Sequence, residues 1–422
     1  IASDTTGKAI ESAFSRVSLQ TEFQDELKTI QEIAGITGEK LKEMYDFHCY
    51  SAYIVDADTP KEKCFDAEFR LDGKEMINEF RKIIIDKGID FVVDQGDFGL
   101  IKRLKENTSD LKCKIIIAHH FQPGWETHFM TFDGFVDDWK KSPSILRCFK
   151  RTLKLILYPA LRINFLHKLP TSYNEAYSYA DAVVLLSKGF ISPFMKYGHI
   201  NDNRKFHIIP NSISFQKFLP KEKIQSKGKI ALIVSRLDDP QKRLSLAIRI
   251  WNTVKKSRES DGWKLNIVGH GPYLHSYQKL ISKLGIPDIY LLGRQTPDKF
   301  YEESSIFMMT SKSEGWGLTL TEAQQMGVVP IAFNSYESLC DIINNNENGI
   351  VIPECDVRQY AEKLLWLMSH TAERRKLAEQ AIDSSHRYEN DKVVSLWYKL
   401  FKQLKEENQT SCITINPNTP PI

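Results

Sequence analysis

The chain lacks the features that would place it in several large classes. Its seven cysteines, Cys49, Cys64, Cys113, Cys148, Cys340, Cys355 and Cys412, are scattered, odd in number and without any C-x-x-C pair. That argues against a disulfide scaffold and against a structural zinc site, and it leads us to expect a reducing, cytoplasmic setting. No apolar run is long enough to span a bilayer. The formal net charge is only +3, so the total charge does not call for nucleic acid as a partner. There is no solenoid-type repeat and no low-complexity core. No signal peptide is visible, and the start at Ile1 rather than Met leads us to expect that preceding residues are missing.

What remains is a globular composition, 42% hydrophobic and 26% charged, over 422 residues. A chain of that length exceeds one ordinary core and predicts two domains. From about Lys229 the pattern is rhythmic. "IALIVS", "LNIVG", "IYLLG", "IFMMT" and "VVPIAF" read as short buried strands, separated by helical stretches such as "LSLAIRIWNTV" and Tyr273 to Leu284. Such alternation means βαβ units and a parallel, doubly wound sheet. The first half is less regular, but "IDFVVDQG", "CKIIIAHH", "ADAVVLLS" and "KFHIIPN" are apolar strands that end in Gly, His, Ser or Asn. Ligands of open α/β sheets sit beyond the carboxyl ends of strands, so polar residues at those ends are candidates for a site. The polar stretch "FQKFLPKEKIQSK" (215–227) reads as a link between the halves, and "NQTSCITINPNTPPI" as a disordered tail.

Ser313 to Gly327, "SEGWGLTLTEAQQMG", is the most informative segment. Glu314 follows a strand. Gly315 and Gly317 let the backbone come close to a ligand. A helix opening near Gly317 would aim free N–H groups and its positive dipole end at an anion. Glu322, on the first turns of that helix, would reach a polar ligand edge. A solvated loop glutamate and an exposed helix glutamate are the plainer reading of this stretch alone. Upstream, "SRLDDPQKRLSL" places Arg236 and Lys242 just after a strand. The planar fork of one and the compact charge of the other suit a diphosphate, although basic residues at a helix start are common on any surface. Arg243 is expected to face solvent. "VGHGP" (268–272) is a Gly-rich turn of a kind found in many α/β loops.

Taken together, "VSRLDDPQK", "LNIVGHGP", "IYLLGRQTPDKFYEESSIFMMTSKSEGWGLTLTEAQQMGVVPIAF", "ADAVVLLS" and "IIPNSI" resemble the retaining, family-four type glycosyltransferases (glycosyl transferases group 1). The likeness is strong from about Tyr173 to Ile352. It implies α/β class and the GT-B architecture, two Rossmann-like doubly wound domains facing each other across a cleft. The expected division is an acceptor-binding domain over 1–212, a nucleotide-sugar domain over 213–388, a helix over 389–408 packing back toward the first domain, and a tail over 409–422.

The resemblance also implies residue roles. Arg236 and Lys242 would bind the donor diphosphate. Glu314 would contact the donor sugar, and Glu322 the ribose hydroxyls. Gly317, Leu318 and Thr319 would present helix-start amides to the phosphates, Gly269 would lie beside them, and Arg294 would border the nucleobase. His120 rather than His119 would be the active-site histidine, judged from the Pro-x-Trp-Glu that follows; a packed core imidazole is the alternative. The implied reaction keeps the anomeric configuration. The acceptor hydroxyl attacks from the face the leaving group departs, and the leaving phosphate can take its proton. No cofactor and no metal are implied, only a nucleotide-diphosphate sugar as donor and a glycan or lipid-linked acceptor. Lys242→Ala is expected to harm turnover far more than folding.

Three features lie outside the family pattern. "IASDTTGKAIESAF" offers only Gly7 where the family opens with a strand and a Gly-rich loop. "DAD" at 56–58 mimics the metal motif of the other glycosyltransferase fold, but reads as part of a turn. Residues 140–168, "KKSPSILRCFKRTLKLILYPALRINFLHK", carry many basic residues and no acidic one, with aliphatic residues interleaved. Such a stretch suits an anionic membrane surface, or a core-packed helix with a solvated basic face. The expectation is therefore a cytoplasmic transferase, peripheral on the inner face of the plasma membrane, that builds surface polysaccharide. The alternatives are a GT-B-fold sugar-nucleotide epimerase and a catalytically silent sugar-nucleotide or glycan-binding subunit.

Overall fold

The computed structural model describes residues 73–96, 98–128 and 152–413, together with 132 and 136. The opening stretch through Asp46, the 56–58 triplet and residues 140–151 of the basic stretch lie outside them. The described residues divide into two compact units. One is drawn from 73–118, Glu175–Val183 and 398–413, the other from His119–Asn174 and Val184–Trp397.

Among the described residues, ten strands form two sheets. β1 (Phe91–Asp94), β2 (Lys114–His119), β3 (Ala182–Leu185) and β4 (Phe206–Ile208) build a four-stranded sheet in the order β1-β2-β3-β4. β5 (Ile230–Val234), β6 (Lys264–Val268), β7 (Ile289–Leu291), β8 (Ile306–Met309), β9 (Val329–Asn334) and β10 (Ile350–Pro353) build a six-stranded sheet ordered β10-β9-β8-β5-β6-β7. Every neighbouring pair in the second sheet is parallel. The apolar runs of the inner strands β5, β8 and β9 are buried on both faces: Ala231, Leu232, Ile306, Met308, Ile331 and Ala332 have no exposed surface. Covering helices on both sides of a parallel sheet require such continuous runs.

In the first unit, the last helix (Asn390–Ile413) sets Phe401 against Phe91, with ring centroids 4.7 Å apart, and Lys405 3.3 Å from Asp90. This helix runs to Ile413, past the point where a disordered tail was expected to begin.

The 215–227 stretch is not a loose linker. The buried side chain of Gln325 accepts from the Phe215 amide at 3.2 Å and donates to the carbonyls of Phe215 and Lys217 at 2.6 and 3.2 Å. Leu219 and Ile224 are buried. Two apolar anchors and a buried amide thus hold a segment whose average composition reads as solvent-exposed.

The order of the second sheet has a consequence for function. Its first strand in the chain, β5, lies beside its fourth, β8, and successive strands run outward on either side. The connections therefore change direction between β5 and β8, and the loops leaving those two strands diverge there and leave room for a ligand.

Candidate functional site

Both loops at that switch point carry candidate residues. After β5, Ser235–Asp238 leads into a one-turn helix, Asp239–Lys242, and then into Leu244–Val254. The joint between the helices is Arg243, at φ 49° and ψ 42°. After β8, Thr310–Trp316 leads to Gly317 at φ 96°, which caps the helix Leu318–Gln325 without a side-chain bond. The first amides of that helix have no acceptor within it, so Leu318 and Thr319 point donors toward the same end of the sheet.

The two loops are laced together. The Lys312 amide donates to the Gln241 carbonyl at 2.7 Å. The Gln241 side-chain amide donates to the Ser313 carbonyl at 3.1 Å. Lys242 Nζ donates to Glu314 Oε1 at 2.6 Å, and these side chains are only 16% and 10% exposed. Thr310 Oγ1 donates to the carbonyls of Lys242 and Arg243 at 3.0 and 3.1 Å. Arg243 corrects the sequence expectation. It is turned inward, donates to the carbonyls of Thr310 and Ser311 at 2.7 and 2.9 Å, and stands 5.7 Å from the centre of the Phe333 ring. Its fork binds two carbonyls just beyond the strand end, that of Ser311 shared with the Ser335 hydroxyl, which is why a basic side chain in a polar loop does not face water.

Arg236 is more open, 61% exposed, with Nη2 2.7 Å from Gln241 Oε1 and 3.9 Å from Asp238. Gly269 (φ 151°) is a glycine for a local reason: an added Cβ would stand 1.8 Å from the Ser235 carbonyl oxygen. The "VGHGP" turn thus packs directly on the β5 exit, and the Leu237 amide donates to His270 O at 3.0 Å. Arg294 is exposed in the loop after β7.

Glu322 sits on the second turn of the helix that Gly317 caps. Tyr301, fully buried, donates its hydroxyl to Glu322 Oε2 at 2.8 Å. Burial pushes the Glu322 carboxyl up from its usual range, opposed by hydrogen bonds from Tyr301 and Ser214. Sequence reasoning missed Tyr301, Gln241 and Thr310 although all three lie in the quoted stretches, because their partners stand on distant segments.

The two histidines part company at the end of β2. His119 is buried among Phe121, Tyr173 and Phe194, and burial, with His120 beside it, lowers its pKa to about 3. It is a neutral core imidazole. His120 is half-buried at the strand end. Its carbonyl oxygen would lie 2.0 Å from a Cβ on Gly315, so the residue after Glu314 is pressed against the backbone of His120. The adjacent 121–126 turn is held by Tyr173, which receives the Gly124 amide at 2.7 Å and donates to the Glu126 carboxylate at 3.0 Å. All ten candidate residues lie in the second compact unit. Among the described residues no group of His, Cys, Asp or Glu is arranged to hold a metal ion.

A cationic pair, a carboxylate and a helix start capped only by a glycine thus meet at the switch point of a doubly wound sheet. Residues 214–384 match the model of the family described as glycosyl transferases group 1. An exopolysaccharide phosphotransferase of Streptomyces coelicolor is 30% identical over 46% of this chain and 20% of its own length. A poly(ribitol-phosphate) alpha-N-acetylglucosaminyltransferase of Staphylococcus aureus is 27% identical over 38% of this chain and 33% of its own. The chain thus spans only a fifth to a third of these two relatives. Among solved structures, Anabaena HepE in complex with UDP superposes with a TM-score of 0.59 at 14% identity, covering 78% of this chain and 82% of that one. The fold is GT-B, with two Rossmann-like sheets.

Proposed function

We propose that the protein transfers a sugar, with retention, from a nucleotide-diphosphate sugar to a hydroxyl of a glycan or lipid-linked acceptor in surface polysaccharide assembly. The observation that carries this reading is the lacing of Lys242 to Glu314 across the switch point, beside Arg236 and the Gly317 helix start. A diphosphate at the helix start would draw the Lys242 ammonium and the Arg236 guanidinium to its oxygens. Charge developing on the leaving group would be met there by fixed cations and amide dipoles, usually the largest catalytic contribution available. Glu314, relieved of its ion pair, would then face the sugar. The departing phosphate oxygen takes the proton of the attacking hydroxyl, so neither a strong base nor a metal is required. Relatives named for polymer glycosylation support the acceptor class.

The test is release of free sugar and transfer from a panel of nucleotide sugars, with and without EDTA, and the anomeric configuration of the product read by NMR. Interconversion of the nucleotide sugar without release would favour an epimerase. Binding without either reaction would favour a silent subunit.

The acceptor side of the reading includes an anionic membrane surface. Helix Tyr158–Tyr179 continues a helical turn at 152–156, and the Leu157 and Leu161 amides donate to the carbonyls of Leu153 and Leu157. Ile156 and Ile163 are each 69% exposed, and Leu153, Leu157 and Leu166 are also exposed, among Lys154, Arg162 and Lys168. Apolar residues on the open face of a basic segment suit insertion at a headgroup boundary. No helix among the described residues is long and apolar enough to cross a membrane. Co-sedimentation with phosphatidylglycerol but not phosphatidylcholine vesicles is expected. Equal pelleting with both would remove the membrane from the reading.

A further inference from the structure

Arg236 poses a problem for any role in gripping phosphate. Its side chain is 61% exposed, and a long side chain in water populates many rotamers. A clamp built from it would pay the full ordering cost each time a donor arrives, unless something already holds it.

Gln241 is placed to do so. Its Oε1 accepts from Arg236 Nη2 at 2.7 Å, and its Nε2 donates to the Ser313 carbonyl at 3.1 Å. The orientation of this amide is dictated by chemistry. A guanidinium only donates, so the oxygen must face Arg236; a carbonyl only accepts, so the nitrogen must face Ser313. The backbone of Gln241 is itself pinned, since its carbonyl receives the Lys312 amide at 2.7 Å. The next residue, Lys242, holds Glu314. A single side chain therefore ties the exposed cation after β5 to the residue immediately before the carboxylate after β8.

We propose that Gln241 is a positioning residue, which fixes the Arg236 guanidinium for a nucleoside diphosphate and couples its orientation to the Glu314 loop. It touches no reacting atom. With Nη2 occupied, the remaining guanidinium N–H groups are left for phosphate oxygens, and their direction is set before the ligand arrives. Holding a ligand group in its bound geometry raises affinity by lowering the ordering cost, not by adding a contact. The proposal rests on the donor reading given above for Arg236.

A near-isosteric substitution, Gln241→Met, removes both hydrogen bonds and keeps the volume. Gln241→Glu keeps the partner of Arg236 but sets a carboxylate oxygen against the Ser313 carbonyl, so it breaks only the coupling. The experiment begins by finding which of UDP, GDP, ADP, CDP and dTDP binds the wild-type protein most tightly by calorimetry. The Kd for that nucleotide is then measured for Gln241→Met, Gln241→Glu, Arg236→Ala and the Arg236→Ala/Gln241→Met double variant, with melting temperatures recorded for each. Gln241→Met should weaken binding about fivefold to tenfold, as expected when one rotamer-rich side chain must be ordered on binding. In the Arg236→Ala background the same substitution should change Kd by less than about twofold, because a residue acting through another has nothing left to act on. Gln241→Glu should also bind more weakly than wild type, although its pairing with Arg236 is stronger. Equal losses in both backgrounds, or none in the wild-type background while Arg236→Ala still weakens binding, would overturn the positioning role and leave the donor site standing. If no nucleotide binds, or Arg236→Ala binds as the wild type does, the donor reading itself falls and this proposal with it.

Discussion

Lys242 Nζ stands 2.6 Å from Glu314 Oε1, across 72 residues of sequence, with both side chains largely withdrawn from water. The two groups assigned separately to phosphate and to sugar are thus partners in the unliganded protein. This changes the outcome expected for Lys242→Ala. Removing the ammonium leaves a nearly buried carboxylate uncompensated, which costs toward the lower end of about 3–5 kcal/mol. Folding and turnover should both suffer. Urea unfolding of Lys242→Met and of the Lys242→Met/Glu314→Leu pair separates the effects. The pair should recover most of the lost stability, while transfer stays at least about a hundredfold down. Recovery of activity along with stability would show that the pair is only structural.

Arg243 combines a left-handed backbone with an inward guanidinium, and the two can be separated by substitution. Both Arg243→Gly and Arg243→Ala lose the bonds to Thr310 and Ser311. Only Gly adopts φ 49° without strain. Arg243→Gly should therefore be more stable than Arg243→Ala by about 0.5–1 kcal/mol, measured by thermal or chemical unfolding. Both should have reduced transfer, because Lys242 sits on the loop that Arg243 anchors.

Gly315 meets the His120 backbone, and Gly293 meets nothing within 4 Å, although Gly293 has the positive φ, 71°. Gly315→Ala must displace one of two strand-end loops, since the atom in the way is a backbone oxygen 2.0 Å from the new Cβ. It should cut transfer sharply. Gly293→Ala should cost only the strain of its left-handed backbone, about 1 kcal/mol, and leave turnover near wild type. Comparable activity in both variants would place the His120–Gly315 approach outside the reacting region.

Two buried groups give opposite pH dependences. The His119 pKa is lowered to about 3 by burial, so the folded state resists protonation while the unfolded chain accepts a proton near 6.5. Its contribution to stability is complete above about pH 6.5 and declines as pH falls toward 3, at about 1.4 kcal/mol per unit. His119→Gln should flatten that acid limb in unfolding experiments. Glu322 is shifted upward, chiefly by desolvation, so its contribution is complete below the usual carboxylate range and is lost as pH rises through its folded pKa. Glu322→Gln, which stays neutral, should thus gain stability relative to wild type between acid and neutral pH. A difference between the two proteins that does not vary with pH would mean that Glu322 is not desolvated as described.

The second sheet was legible in the sequence because its inner strands are buried on both faces. Nothing but continuous apolar runs can occupy such strands, and polar residues at their carboxyl ends then stand out. Glu314, Lys242 and Arg236 were found this way, each from its distance beyond a strand. Of the two histidines at the end of β2, His119 is the one packed among the rings of Tyr173 and Phe194, while His120 is half-buried. Arg243 was misjudged, and Gln241 and Tyr301 were passed over, for one shared reason. Their partners lie on other segments: Thr310 and Ser311 for Arg243, Ser313 for Gln241, Glu322 for Tyr301.

Local pattern, then, settled which segments become strands and helices, because apolar periodicity and the chemistry of glycine act within a few residues. It could not settle that β5 lies beside β8 rather than beside β9 or at an edge, since a crossover connection allows several parallel orders of similar local cost. That adjacency alone turns a lysine, a glutamine and an arginine after one strand into partners of a threonine, two serines and a glutamate after another. Long-range packing of the whole sheet chose it, and the chemistry of the site follows from the choice.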